Sequence, residues 1–95
     1  MRSKEPNPDA TALALQALAW TLSEQDRAQR LLDVTGLDPA DLRARAGEPA
    51  VLGAVLGFLE AHEPDLVACA QELEIGPEAL VAARAELDGG RELER

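Results

Sequence analysis

The chain has 95 residues, 46% of them apolar and only 2% aromatic, with nine basic against eighteen acidic groups for a net charge of −9. That length allows one domain with one modest core, and a core built from Leu, Val and Ala suits closely spaced helices better than strands. The acidic balance repels nucleic acid and anionic membranes, and a single cysteine, Cys69, excludes an intrachain disulfide and suits a reducing compartment.

Residues 1–8 carry Arg2 and Lys4 with no apolar stretch after them. We expect a flexible N-terminal tail there, no signal peptide and a cytoplasmic protein. A first helix should start near Pro8 or Asp9 and run to about Leu22. Leu13, Ala17 and Trp20 share one side of it, and Leu15, Leu18 and Leu22 lie almost opposite. A helix apolar nearly all round is buried on both sides, so it is either central to the domain or shared with a second chain.

Ser23-Glu24-Gln25-Asp26 fits a capping box, with Ser23 as cap, and opens a second helix from Glu24 to about Thr35. Ala28, Leu31, Leu32 and Thr35 should face inward, and Gly36 is placed to stop the helix. A short third helix follows over Pro39–Ala46, ended by Gly47. Pro49 opens a fourth, to about His62, whose Val51, Leu52, Val55, Leu56, Phe58 and Leu59 form one broad apolar face. Gly53 and Gly57 lie near the opposite face. Each costs about 1 kcal/mol against alanine inside a helix, which implies close approach by another backbone. Pro64 or Asp65 starts a fifth helix with Leu66, Cys69, Ala70 and Leu73 inward. The sixth spans Pro77–Leu87, with Leu80, Ala83 and Leu87 inward; Asp88-Gly89-Gly90 should stop it, leaving 89–95 as a charged tail.

One device occurs twice, 38 residues apart: Leu37-Asp38-Pro39-Ala40-Asp41-Leu42 aligns with Ile75-Gly76-Pro77-Glu78-Ala79-Leu80. Proline suits the first helical position, Asp38 and Gly76 fall at the cap, and Leu37–Leu42 and Ile75–Leu80 can pack as hydrophobic staples. The expected fold is therefore all-α: a single compact helical domain over 9–88, of about six short helices containing two helix–tight corner–helix units.

Charge is lopsided. Residues 1–45 hold six basic and seven acidic groups; residues 46–95 hold three and eleven. No Lys or Arg falls from Ala46 through Ala83. This surface either serves solubility or favours a basic protein partner.

No constellation carries catalysis, so we expect no enzyme, no cofactor and no metal. His62 and Cys69 alone fall short of the four ligands of a structural zinc site. Cys69 lies on an apolar stripe without basic neighbours and reads as an inert core residue. Asp88-Gly89-Gly90 lacks the lysine and following helix of a phosphate loop. Leu-x-Pro-x-x-Leu after a corner resembles DNA-binding helix-turn-helix units, yet Asp38 and Asp41 occupy the leading end where phosphate contacts belong, and only Arg43 and Arg45 follow. A nucleic-acid-binding regulator is therefore the alternative to a non-enzymatic protein–protein interaction domain. The expected interaction surface is Leu13, Ala17 and Trp20 with the Gly53/Gly57 groove, and the expected state is a monomer or a weak homodimer through the first helix.

Ala14-Leu15-Gln16-Ala17-Leu18-Ala19-Trp20, Leu37-Asp38-Pro39-Ala40-Asp41-Leu42-Arg43 and Val55-Leu56-Gly57-Phe58-Leu59 together resemble a family of small alphaproteobacterial all-helical proteins, domain of unknown function 3572. The resemblance covers about Ala10 to Leu87. It implies a bacterial cytoplasmic protein and an all-helical fold, and it brings no activity or catalytic motif.

Overall fold

Every proline from Pro8 onward opens a helix. A computed structural model describes residues 8–92 as α1 (Pro8–Leu22), α2 (Gln25–Thr35), α3 (Pro39–Arg45), α4 (Pro49–Glu60), α5 (Glu63–Glu72) and α6 (Pro77–Glu92). Pro8, Pro39, Pro49 and Pro77 stand at the first helical position and Pro64 at the second, where no N–H partner is lost. Among the described residues there is no strand. The fold is all-α, and the expected tail over 1–8 lies outside the described residues but for Pro8.

The two corners are equivalent in more than their prolines. Gly36 takes a left-handed φ of 76° and its N–H reaches the Leu32 carbonyl at 2.9 Å. Thirty-eight residues on, Glu74 takes a φ of 62°, and there Ile75 N–H reaches Ala70 O at 2.9 Å and Glu74 N–H reaches Gln71 O at 3.1 Å. The pattern at the second corner is a Schellman close. Asp38 caps α3 by accepting from Asp41 N–H at 2.8 Å. Leu42 and Leu80 are buried, with Leu37 and Ile75 packed partly against the core.

A left-handed conformation costs a residue with a Cβ roughly 1–2 kcal/mol. Replacing Glu74 by glycine should therefore stabilise the fold by about 0.5–1 kcal/mol, after the added freedom of the unfolded chain is subtracted. Gly36→Ala should destabilise it by about 1 kcal/mol. Thermal melts of the two variants check this; a Glu74→Gly melting temperature below that of the parent would refute it.

Helices α1, α4 and α6 pack on one another and form the centre. Ala14 and Ala17 of α1 are fully buried and let Leu52, Leu56 and Leu59 of α4 and Leu80 and Leu87 of α6 close around it. Thr21 is buried, and its hydroxyl donates to Ala17 O at 2.8 Å, so no polar group is stranded there. Around this centre α2 contributes Leu31, and α5 contributes Leu66, Cys69 and Ala70. Helix α3 buries only Leu42. The molecule is 18 Å along its shortest axis, the depth of two helix layers.

Several boundaries differ from expectation. Glu24, not Ser23, caps α2: its carboxylate accepts from Arg27 N–H at 2.9 Å, while Ser23 Oγ turns back to donate to Trp20 O at 2.6 Å and closes α1. Helix α6 runs through Asp88-Gly89 to Glu92. Glycine permits a left-handed stop without forcing one, and Asp88 stays tied to Arg84 one turn back at 3.2 Å. Residues 93–95 of the expected tail lie outside the described residues. Helix α4 ends at Glu60, and His62 becomes the residue before α5 rather than the end of α4.

Candidate interaction surfaces

Helix α1 turns its Leu13–Ala17–Trp20 side toward the rest of the domain. Ala17 has no exposed surface, and Leu13 and Trp20 are half-buried against the core. The Arg27 guanidinium lies 3.6 Å above the Trp20 ring, and its Nη2 donates to Trp20 O at 2.6 Å. The ring carries a negative face and the carbonyl sits at the negative end of α1, so one cation satisfies both. Trp20 thus clasps α1 to α2 within the chain.

The side named as opposite is divided. Leu18 is buried, but Leu15 is 40% exposed and Leu22 42%, with Ala12 and Ala19 also exposed. No charged residue falls between Asp9 and Glu24. The result is an uncharged, largely apolar outer face on α1. At Leu22 this face runs into an apolar groove of about 400 Å³, bordered by Leu18 and Leu22 of α1, Leu32 of α2, and Pro39, Leu42 and Arg43 of α3. Arg43 is exposed and is the one charged residue on the groove; Arg27, Arg30, Arg45 and Arg84 all have carboxylate partners, and among the fully described residues Arg43 has none.

Gly53 and Gly57 also receive a neighbour from within the chain, though not a backbone. Side chains of α6 lie across them: a Cβ on Gly53 would stand 2.9 Å from Asp88 Oδ1, and one on Gly57 3.4 Å from Arg84 Cζ. Arg84 bridges Glu60 at 2.9 Å and Asp88 at 3.2 Å, and its hydrogen bond to Glu60 raises its pKa further above the usual arginine value. The glycines open space for this clamp between α4 and α6.

His62 is exposed, with Nδ1 3.0 Å from Asp65, which also receives Arg30 at 3.2 Å. Cys69 is fully buried. Desolvation pushes its thiol from 9.0 up to about 11, against a lowering by Arg27 and with a smaller push from Asp65. We predict that native Cys69 reacts with a thiol reagent at least about a hundredfold more slowly than free cysteine near neutral pH, because thiolate fraction and access both fall. Labelling at the free-cysteine rate would refute this. The same shift sets a sign for alkaline stability. Below pH 9 the thiol is protonated in both states. Between 9.0 and about 11 only the unfolded chain loses its proton, so stability falls across that window.

No group of three or more metal-capable His, Cys, Asp or Glu side chains occurs among the described residues. None of the helices there is long and apolar enough to cross a membrane. Sequence reasoning named the wrong side of α1 as its outer face and did not single out the α3 groove or Arg43, because both depend on which helices pack where.

No curated protein and no solved structure matches the chain. The sequence does match a family over residues 7–90, which takes in all six helices but for the last two residues of α6. The chain belongs to the family described as Protein of unknown function (DUF3572).

Proposed function

We propose that this protein is a non-catalytic interaction domain whose groove between α1, α2 and α3 receives an apolar segment of another protein bearing a carboxylate. The observation that carries the reading is the pairing of an apolar groove with a guanidinium at its edge, Arg43, that has no carboxylate partner among the described residues. Apolar side chains of the occupant would cover Leu18, Leu22 and Leu32, and its carboxylate would meet Arg43. Helix-in-groove recognition works this way: apolar anchors one turn apart supply the energy and a charge fixes the register. The overall acidity would then turn away acidic segments that lack such anchors.

Two variants test it. Arg43→Glu reverses the edge charge, and Ala28→Glu places a carboxylate in the groove; Arg43 is exposed and Ala28 is half-buried along the groove. Tagged parent and variants are compared in their own host after crosslinking. The expected result is a stoichiometric partner held by the parent and lost from both variants, whose crosslinked segment, made as a peptide, binds the parent at least about tenfold more tightly than Arg43→Glu, or 1.4 kcal/mol. Equal retention by all three chains overturns the groove. Binding of DNA at ~50 mM salt that fades steeply by ~200 mM would instead report phosphate contacts and favour a nucleic-acid regulator.

A further inference from the structure

We infer that the outer face of α1 pairs with the same face of a second copy, as an antiparallel two-helix contact about a two-fold axis at the level of Ala17. The exposed residues Ala12, Leu15, Ala19 and Leu22 are spaced three, four and three apart. That is the a/d spacing by which one helix packs along another. Small and large residues alternate along it. When the stripe is laid antiparallel on itself, Ala12 faces Leu22 of the second copy and Leu15 faces its Ala19. Every layer then holds one alanine and one leucine, so each knob meets a recess and the helices can approach closely. A parallel arrangement would set leucine on leucine and alanine on alanine.

Electrostatics point the same way. Two chains of net charge −9 repel, yet the stretch from Ala10 to Ser23 carries no charge at all. Contact there puts no charged residue inside the stripe, and antiparallel helices oppose their dipoles favourably. A closed two-fold contact also uses one patch twice and leaves nothing to extend into a fibre. The stripe covers about 15 Å of helix at 1.5 Å per residue. It is smaller than the ~800 Å² per partner of a standard interface. The dimer is accordingly weak and forms only at high protein concentration. It shares Leu22 with the groove but does not depend on the groove having an occupant.

Sedimentation equilibrium of the full chain tests the association. The expected weight-average mass rises from 10.1 kDa toward twice that value with concentration. Leu15→Glu and Ala19→Glu should stay monomeric while keeping the helical circular dichroism of the parent. Register is tested separately by oxidation. A mixture of Leu15→Cys and Ala19→Cys chains should crosslink to the mixed dimer in preference to either like pair, with the native Cys69 buried and silent. A parent that remains monomeric at roughly 500 µM, well above what so small an interface needs, overturns the proposal. So does a dimer that survives both glutamate variants, a preference for like-with-like crosslinks, or a monomer whose stripe binds a different protein. The groove variants leave this stripe intact, so the two readings stand or fall apart from each other.

Discussion

Truncating Leu56 to alanine should cost about 3–4 kcal/mol and lower the melting temperature by more than about 10 °C. Leu56 is fully buried in the middle of α4, where α1 and α6 both pack. Removing its side chain takes away the transfer free energy of three carbons and leaves a cavity that rigid helical neighbours close only in part. A domain of this size has a total stability of only about 5–15 kcal/mol, so the loss is a large share of it. Leu56→Met, which keeps the volume, should cost under about 1.5 kcal/mol. Leu15→Ala on the outer face should cost under about 1 kcal/mol, because much of that side chain is already in water. Urea unfolding of the three variants gives the comparison. Equal costs for Leu56→Ala and Leu15→Ala would mean that α4 is not at the centre.

A larger contrast is expected two residues apart on α1. Ala17→Glu should abolish stable folding, since it forces a carboxylate into a site with no exposed surface. An uncompensated buried charge costs on the order of 3–5 kcal/mol, and the extra volume adds strain. Ala19→Glu should change stability by no more than about 0.5 kcal/mol, because Ala19 is exposed. Circular dichroism and urea titration at low micromolar concentration separate the two. A folded Ala17→Glu protein would place that side of α1 outside.

Local chemistry was readable wherever one residue type has one dominant use. Prolines marked helix starts, Gly36 marked the end of α2, and the period of Leu80, Ala83 and Leu87 marked the inner side of α6. The misreadings share a different cause. Helix α1 is apolar all round, so its own pattern held no information on which side lies inward; Ala14 and Ala17 went inside because their small size lets α4 and α6 come close. Ser23 and Glu24 both can cap, and the choice was made by the Trp20 carbonyl, which drew the Ser23 hydroxyl away. Glu74 has no intrinsic leaning to positive φ, yet it stands 38 residues after Gly36, and its conformation was implied by extending the repeat one position back. Gly53 and Gly57 announced a close approach without saying that it would come from Arg84 and Asp88. The groove was out of reach of any one-segment pattern, because three helices build it.

Helix α3 has only seven residues and one buried side chain, Leu42, and its Arg45 pairs no farther away than Glu48. Amide exchange should therefore be fastest in residues 39–45 among the six helices, through openings that leave the central helices intact. That same helix supplies Pro39, Leu42 and Arg43 to the groove. One wall of the groove is thus hinged on a single leucine while the opposite wall belongs to the rigid α1. Such a cleft can adjust its width to occupants of different bulk, and whatever fills it slows the exchange of the mobile wall.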